Sequence, residues 1–482
     1  MDLVAGVDVA TAAVRAAAAN SSGVVVAEAS LPLPQPQSPQ PGHSEQDASA
    51  WAPAVFGTLR ELSGQLGERA GNVVALSVSA TSGTVAALDS HGAFLGPALT
   101  YADQRAGAEA AVAQAAAAQT WAALGLTIAP SFGLPKWGWM VRRWGAGRIA
   151  RLVHVPDVVV EALTGRPGPS DTSHALKSGY DPVARRWVGE ALEALDIPLR
   201  LLPEVRLPGE PAGRLTPAAS RSTGLPAGCE IRLGMTDSCS SQLAAGAAEP
   251  GQFVSVLGST LVLKGASLRP VADPGGAVYS HLHPGGWWLP GGASSAGARA
   301  LQEAFPGRNL AELDRLAAEA GPAGAVTYPL VGRGERFPFA APGAQGFTLG
   351  RPANEVERYR AILEGVAFVE RLGYERLREL GARPEGRIVA SGRASASREW
   401  NTIRATVLGL PLVAKPEAST ALGACILAAA GALHPDLASA TAAMCAGGEP
   451  ISPNDGERQA LDRSYRRFVE ELQSRGWTGH PR

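Results

Sequence analysis

Residues 3–19 read Leu-Val-Ala-Gly-Val-Asp-Val-Ala-Thr-Ala-Ala-Val-Arg-Ala-Ala-Ala-Ala. An apolar run suited to a buried strand, Leu3 to Val9, gives way to a turn of small residues, and a second strand-like run follows from Val14 to Ala19. Asp8 sits where the first strand ends. Small side chains in the turn let backbone N–H groups approach an anion closely, and Thr11 adds a hydroxyl. A carboxylate in that position suits a hydrated Mg²⁺ beside phosphate oxygens. Taken alone, such a segment is more often an ordinary hairpin with an aspartate at its turn. Its meaning therefore depends on what recurs further along the chain.

The same pattern returns once. Phe253 to Val256 and Leu261 to Lys264 flank a second small-residue turn, Gly258-Ser259-Thr260. Two such hairpins, one opening each half of the chain, can clasp the tail of a nucleotide from both sides of a cleft. Between them a strand, Cys229 to Leu233, leads into Gly234-Met235-Thr236-Asp237-Ser238. A carboxylate at the junction of two halves suits the base that phosphoryl transfer needs. Helix capping by Asp237 accounts for the local sequence equally well. A fourth segment, Ser391-Gly392-Arg393-Ala394-Ser395, lies between a strand (Arg387 to Ala390) and a helix (Glu399 to Leu408). A helix start among small residues is a ready anion or nucleotide site, although a plain strand–helix turn is the commoner meaning in isolation.

Working outward, Val24 to Ala29 forms a further strand, and the Pro/Gln-rich piece from Leu31 to Gly42 reads as a surface excursion. A helix is expected from Asp47 through Leu66, a buried strand over Val73 to Ser79, and helices over Gln104 to Leu124, Trp137 to Trp144 and Pro156 to Leu163. Arg200 to Ala218 is a Pro-rich connection. In the second half a strand from Gly285 to Pro290 runs into Gly291-Gly292, and helices follow at Ala296 to Phe305, Leu310 to Ala320, Glu355 to Leu380, Ala421 to Ala430 and Asp455 to Arg475. The chain therefore reads as a duplicated α/β domain whose halves meet near Gly234 to Gly251. The expected division is 1–243, 244–445, and a helical segment, 446–482, free to pack back on the first half.

Composition narrows the function classes. Lysine plus arginine total 43 against 44 aspartate plus glutamate, so there is no electrostatic footprint for nucleic acid or an acidic membrane. The four cysteines form no CxxC pair and have no histidine at ligand spacing, which argues against zinc and suits a reducing compartment. No signal peptide or membrane-spanning run is read, so the cytoplasm is the expected location. His281 and His283, Trp137 and Trp139, Trp287 and Trp288, and the lone lysines Lys136 and Lys177 read as core or surface residues before they read as ligands.

In their order along the chain, these segments resemble the FGGY family of carbohydrate kinases, and the resemblance covers essentially the whole sequence. Asp8-Val9-Ala10-Thr11 is similar to the family's first phosphate-and-metal loop, Gly258-Ser259-Thr260 to its second, and Gly234-Met235-Thr236-Asp237 to its catalytic-base motif. Lys136-Trp137-Gly138-Trp139 and Leu363-Glu364-Gly365-Val366-Ala367-Phe368 resemble its two signatures, and Asp157 to Gly165 and Asp171 to Ala175 follow its pattern. Within the family, Ala80 to Val85, Ala175 to Tyr180, Gly258 to Lys264, Val278 to His281 and Gly332 to Pro338 look most like plant and cyanobacterial-type kinases of D-ribulose. Asp103-Gln104-Arg105 is instead similar to a xylulokinase motif.

The resemblance implies two actin-like (ribonuclease H-like) domains with a catalytic cleft between them, ATP and Mg²⁺ as cofactors, and a monomer or homodimer. It implies Asp237 as base and Asp8 as the metal carboxylate. It implies sugar contacts from Thr11, Thr81, Ser82, Gly83, Asp103 and Asp237. Nucleotide contacts are implied from Thr11, Gly258, Ser259, Thr260, Gly291, Gly292, Gly392, Arg393, Ala394 and Ser397. Three positions depart from the family: Ala10 for a glycine, Ala12 for a serine, and Gly392-Arg393-Ala394 for Gly-Gly-Gly. The implied reaction is phosphorylation of a primary hydroxyl of D-ribulose. The alternatives are D-xylulose or another pentulose or polyol, and a non-catalytic descendant that binds sugar or nucleotide.

Overall fold

A computed structural model describes residues 1–478. Strand β1 (Leu3–Val9) is buried along its whole length, as a central strand covered on both faces must be. It pairs antiparallel with β2 (Ala13–Ala19), which pairs with β3 (Val25–Pro32). On its other side β1 runs parallel to β4 (Val73–Ala80), and the sheet is completed by β5 (Pro211–Arg214) and β6 (Glu230–Thr236) in the order β5-β6-β4-β1-β2-β3.

The second half repeats this design with β7 (Phe253–Leu257), β8 (Leu261–Gly265), β9 (Tyr279–Leu282) and β10 (Trp288–Ala293). A long hairpin, β11 (Val326–Glu335) with β12 (Ala341–Leu349), stands apart from the sheet. Strands β13 (Ile388–Ser391), β14 (Leu412–Lys415) and β15 (Glu449–Ile451) complete the order β9-β10-β8-β7-β13-β14-β15. The shared core is a three-strand antiparallel meander joined, through its first strand, to two parallel strands: β3-β2-β1-β4-β6 in one half and β10-β8-β7-β13-β14 in the other. This is the expected duplicated α/β architecture.

Helices cover the sheets. Helix α1 (Trp51–Leu66) lays Val55, Leu59, Leu62 and Leu66, spaced four and three apart, on the first sheet. It is preceded by a short turn in which Asp47 accepts from the N–H of Ser49. Helices α2 (Gly133–Trp144), α3 (Thr172–Leu176) and α4 (Asp237–Ala245) follow, and α5 (Arg299–Ala304) is shorter than the sequence suggests. The second half contributes α6 (Glu355–Glu379), α7 (Arg398–Leu408), α8 (Thr420–Ala429) and α9 (Asp455–Ser474).

Helix α9 does not pack back on the first half. Its buried face, Leu461, Tyr465, Phe468 and Leu472, joins the core of the second half against α6, α7 and β11. Helix α8 does the reverse. Coming late in sequence, it packs on β1, β2 and β4 of the first sheet and on α4. The approach is backbone to backbone: a Cβ on Gly6 would lie 2.1 Å from the Ala421 carbonyl oxygen, and one on Gly423 would lie 1.9 Å from that of Ser240.

Candidate active site

Parallel strands β1, β4 and β6 end side by side, with Asp8 opposite Ser79 and Ala80 opposite Thr236. The loops leaving them share one edge of the sheet, where open α/β sheets hold ligands. The turn after β1 carries Ala10, Thr11 and Ala12, the loop after β4 carries Thr81, Ser82 and Gly83, and Asp237 opens α4. All seven residues line one cavity of about 1000 Å³ that also reaches Val262 and Lys264 of the second half.

Each loop is pinned from behind. The Ala10 N–H donates to the Ala13 carbonyl at 3.1 Å, and Gln46 donates to the carbonyls of Thr11 and Pro34, both at 2.8 Å. Gln46 thus ties the Pro/Gln-rich excursion to the first turn. Ala10 is not among the positive-φ residues, so its methyl is compatible with the turn. The Thr81 N–H donates to the Val9 carbonyl at 3.3 Å. Lys136 is buried, and its ammonium donates to the carbonyls of Gly83 (2.9 Å), Thr100 (2.5 Å) and Ser131 (2.8 Å). It holds three loops of the cavity wall together, and burial lowers its pKa to about 7.

Beneath the edge lies a buried ion pair. Asp171 accepts from the N–H groups of Ser173 and His174 and meets the His174 Nδ1 at 2.5 Å. The His174 Nε2 lies 3.2 Å from the Ala80 carbonyl, and the Thr236 N–H donates to the Ser173 hydroxyl at 2.9 Å. One short helix, α3, therefore positions the residue before Thr81 and the residue before Asp237.

Asp8 is 5% exposed, and its Oδ1 has no hydrogen-bond partner among the described residues, while Oδ2 meets Arg15 at 3.4 Å. Burial, and then the nearby charge of Asp237, raises its pKa to about 7 against the pull of Arg15. A free buried carboxylate oxygen beside a second carboxylate fits a hydrated Mg²⁺, which needs only one or two protein oxygens besides water and phosphate. No group of three His, Cys, Asp or Glu side chains capable of caging a metal gathers among the described residues. Asp237 stands at the first position of α4. One of its oxygens accepts from the Ser238 N–H at 2.6 Å, and the residue faces the cavity. Helix starting and solvent-facing chemistry are thus both served by it.

In the second half the Gly258-Ser259-Thr260 turn is closed by the Gly258 N–H donating to the Thr260 carbonyl at 3.0 Å. Gly392, at φ 86°, lies against the backbone of Leu257, so the two small-residue loops are neighbours at the ends of β7 and β13. Gly297, to which sequence reasoning gave no role, packs directly on Ser259 and Thr260. Arg393 is exposed and makes no hydrogen bond or ion pair with the described residues. Ala394 lies in the same short turn.

Three further sets of expected site residues are placed as follows. Asp103 is fully buried and does not line the cavity; its carboxylate accepts from the N–H of Ser44 and from Arg105, fixing the wall from within. Gly291 and Gly292 sit in β10 on the wall of the large cavity, paired with Lys264 and Leu263 and away from the Gly258 turn. Their lack of side chains admits Lys264 and the Phe337 ring. The Ser397 hydroxyl caps α7, accepting from the Trp400 N–H at 3.1 Å. Sequence reasoning gave no site role to Lys177, Lys264, Tyr279 or His281, all of which line the cavity. His283 instead accepts from the Gly285 N–H and stacks on Trp287.

A duplicated α/β fold with Asp8 and Asp237 at one edge of the first sheet, and a cavity shared by residues of both halves, is the frame of a two-domain phosphotransferase acting on an alcohol. Residues 3–244 match the N-terminal domain, and residues 254–432 the C-terminal domain, of the FGGY family of carbohydrate kinases. The chain belongs to that family. It is 29% identical over 437 residues to a xylulose kinase of Klebsiella pneumoniae, covering 88% of this chain and 89% of the relative. It is 33% identical over 286 residues to a ribulokinase of Mycolicibacterium smegmatis, covering 53% and 50%. The crystal structure of a xylulose kinase from Rhodospirillum rubrum superposes with a TM-score of 0.87 at 30% identity, covering 98% of both chains. No helix among the described residues is long and apolar enough to cross a membrane.

Proposed function

We propose that this chain transfers the γ-phosphoryl group of ATP to a primary hydroxyl of a small open-chain ketopentose, D-ribulose or, as the alternative, D-xylulose. The observation that carries this reading is Asp237 facing a cavity that it shares with the Thr11 turn, the Thr81–Gly83 loop and the β8 strand of the other half. Short polar side chains on the first half suit a polyhydroxy acceptor. The D-ribulose reading is supported by sequence segments such as Ala175 to Tyr180 and by the ribulokinase relative; the D-xylulose reading is supported by the longer-matching xylulose kinases.

In this reading residues 1–243 carry the base and most of the sugar contacts, and residues 244–445 carry most of the nucleotide contacts. Asp237 takes the proton of the attacking hydroxyl as the new O–P bond forms and the β,γ-bridging bond breaks, leaving ADP. Backbone N–H groups of the turns at Thr11 and Gly258, with the Thr11 and Thr260 hydroxyls, hold the phosphoryl group in line. Asp8 would hold a hydrated Mg²⁺ arriving with ATP, which would supply neutralisation of phosphate charge. Closure of the halves excludes water from the phosphoryl group. The negative φ of Ala10 and the outward position of Arg393 favour this reading over that of a non-catalytic descendant.

The test is ADP release measured over ketopentoses, aldopentoses, polyols and glycerol, with Asp237→Asn alongside. Turnover with a ketopentose, lowered about 10²–10⁴-fold in the variant with sugar binding retained, is the expected result. Sugar-independent ATP hydrolysis, or an unimpaired variant, would overturn it.

A further inference from the structure

The cavity wall carries two ammonium groups with no carboxylate partner within salt-bridge distance among the described residues. Lys264, on β8, is 6% exposed, and its only hydrogen-bond partner among the described residues is the Cys239 sulfur at 3.2 Å. Lys177, just past α3, lies 5.2 Å from the Phe132 ring centre and 5.4 Å from that of Tyr279. His281, 4% exposed and 5.4 Å from Tyr279 between ring centres, presents an Nε2 with no partner. Burial, then Lys264 and Lys177, push His281 well below its ordinary pKa, so its ring is neutral. Burial works against the charge of Lys177, yet Tyr279 and then Asp237 hold its pKa raised.

Ammonium groups only donate hydrogen bonds, a hydroxyl both donates and accepts, and a carbonyl oxygen only accepts. One buried and one half-buried cation facing one cavity are satisfied by a ligand end that carries an acceptor-only oxygen. Strand geometry supplies the scale. At about 3.3 Å per residue, Lys264 lies about 13 Å along β8 from Thr260, which leaves room for a phosphoryl group and a five-carbon chain between them. We propose that Lys177 and Lys264 are specificity-determining residues that hold the ketone-bearing end of the acceptor, so that the chain selects open-chain ketoses over the corresponding polyols. The inference rests on the function proposed above and assigns the recognition of its acceptor to Lys177 of the first half together with Lys264 of the second.

The experiment compares kcat/KM for D-ribulose and D-xylulose with that for ribitol, arabitol and xylitol, and for D-ribonate as a carboxylate-bearing control, in the wild type, Lys264→Met and Lys177→Met. The wild type is expected to favour the ketoses over polyols and ribonate. Each variant is expected to lower the ketose-to-polyol ratio by about 10–100-fold, the value of a hydrogen bond from a charged donor. Because the ratio is internal to each preparation, partial misfolding does not move it. A ratio unchanged in both variants overturns the inference while leaving the kinase reading intact, and so does ribonate as the best acceptor. Absence of phosphorylation with any sugar overturns both.

Discussion

Asp8 keeps its carboxyl in surroundings that oppose its charge. Its folded-state pKa of about 7 stands above the ordinary carboxyl value of 3.8, with burial as the first cause and Asp237 as the second. For an acid raised in this way the folded state holds its proton longer than the unfolded state does. The group therefore costs stability progressively as pH rises from about 4 to 7, and that cost is complete above both values. Asp8→Asn removes the charge at nearly the same volume. At pH 8, without nucleotide, the variant should be more stable than the wild type by about 2–4 kcal/mol in urea unfolding, while sugar-dependent ADP release collapses. A variant less stable than the wild type would show that the Arg15 contact outweighs desolvation. The strain at Asp8 was invisible in the sequence. Its position at a strand end before small residues could be read, but the second carboxylate beside it arrives from residue 237.

At the scale of elements, the short helix α3 governs two neighbours through the Asp171–His174 pair. Burial raises Asp171, but His174 and the hydrogen bonds around it hold it below its ordinary value; burial lowers His174, but Asp171 holds it above. The sign differs for the two partners. The Asp171 contribution is present above about 3.8 and fades as pH falls through the depressed value. The His174 contribution is present below about 6.5 and fades as pH rises through the elevated one. His174→Gln should therefore cost about 3–5 kcal/mol at pH 6, the usual result of orphaning a buried charge. That deficit should narrow at pH 9, as read from unfolding midpoints at the two values; a deficit independent of pH would mean that the ring matters only by its shape. Elements of this kind were partly legible. The strands at both small-residue turns and the long helix α6 follow from apolar periodicity. The β11–β12 hairpin does not, because Pro329, Gly332 and Gly334 interrupt its alternation and its register shifts twice. Alanine-rich propensity between Gln104 and Leu124 also hides a break at Ala117 that divides it into two helices. Lys136 and Lys177 look like lone charges in a linear string, and only tertiary placement shows Lys136 buried and Lys177 half-buried on the cavity wall.

For the whole molecule, the contact between halves runs through helix α8, whose small residues let backbone meet backbone. Gly423→Ala places a methyl 1.9 Å from the Ser240 carbonyl oxygen, a clash that no rotamer relieves. The expected loss is about 2–4 kcal/mol, seen as a lower unfolding midpoint, with kcat falling more than the KM for ATP because α4 carries Asp237. A substitution without effect on either would mean that the interface is loose. The duplication of the fold was legible because both turns announce themselves with small residues. The crossing of α8 onto the first sheet was not, since nothing in Thr420–Ala429 says which sheet its alanines face.

That crossing has a mechanical corollary. One rod braces both the strand ending at Asp8 and the helix beginning at Asp237, so the gap between these two carboxylates is held on a single chassis. Under the closure proposed above, the acid pair would keep its spacing like marks on a ruler.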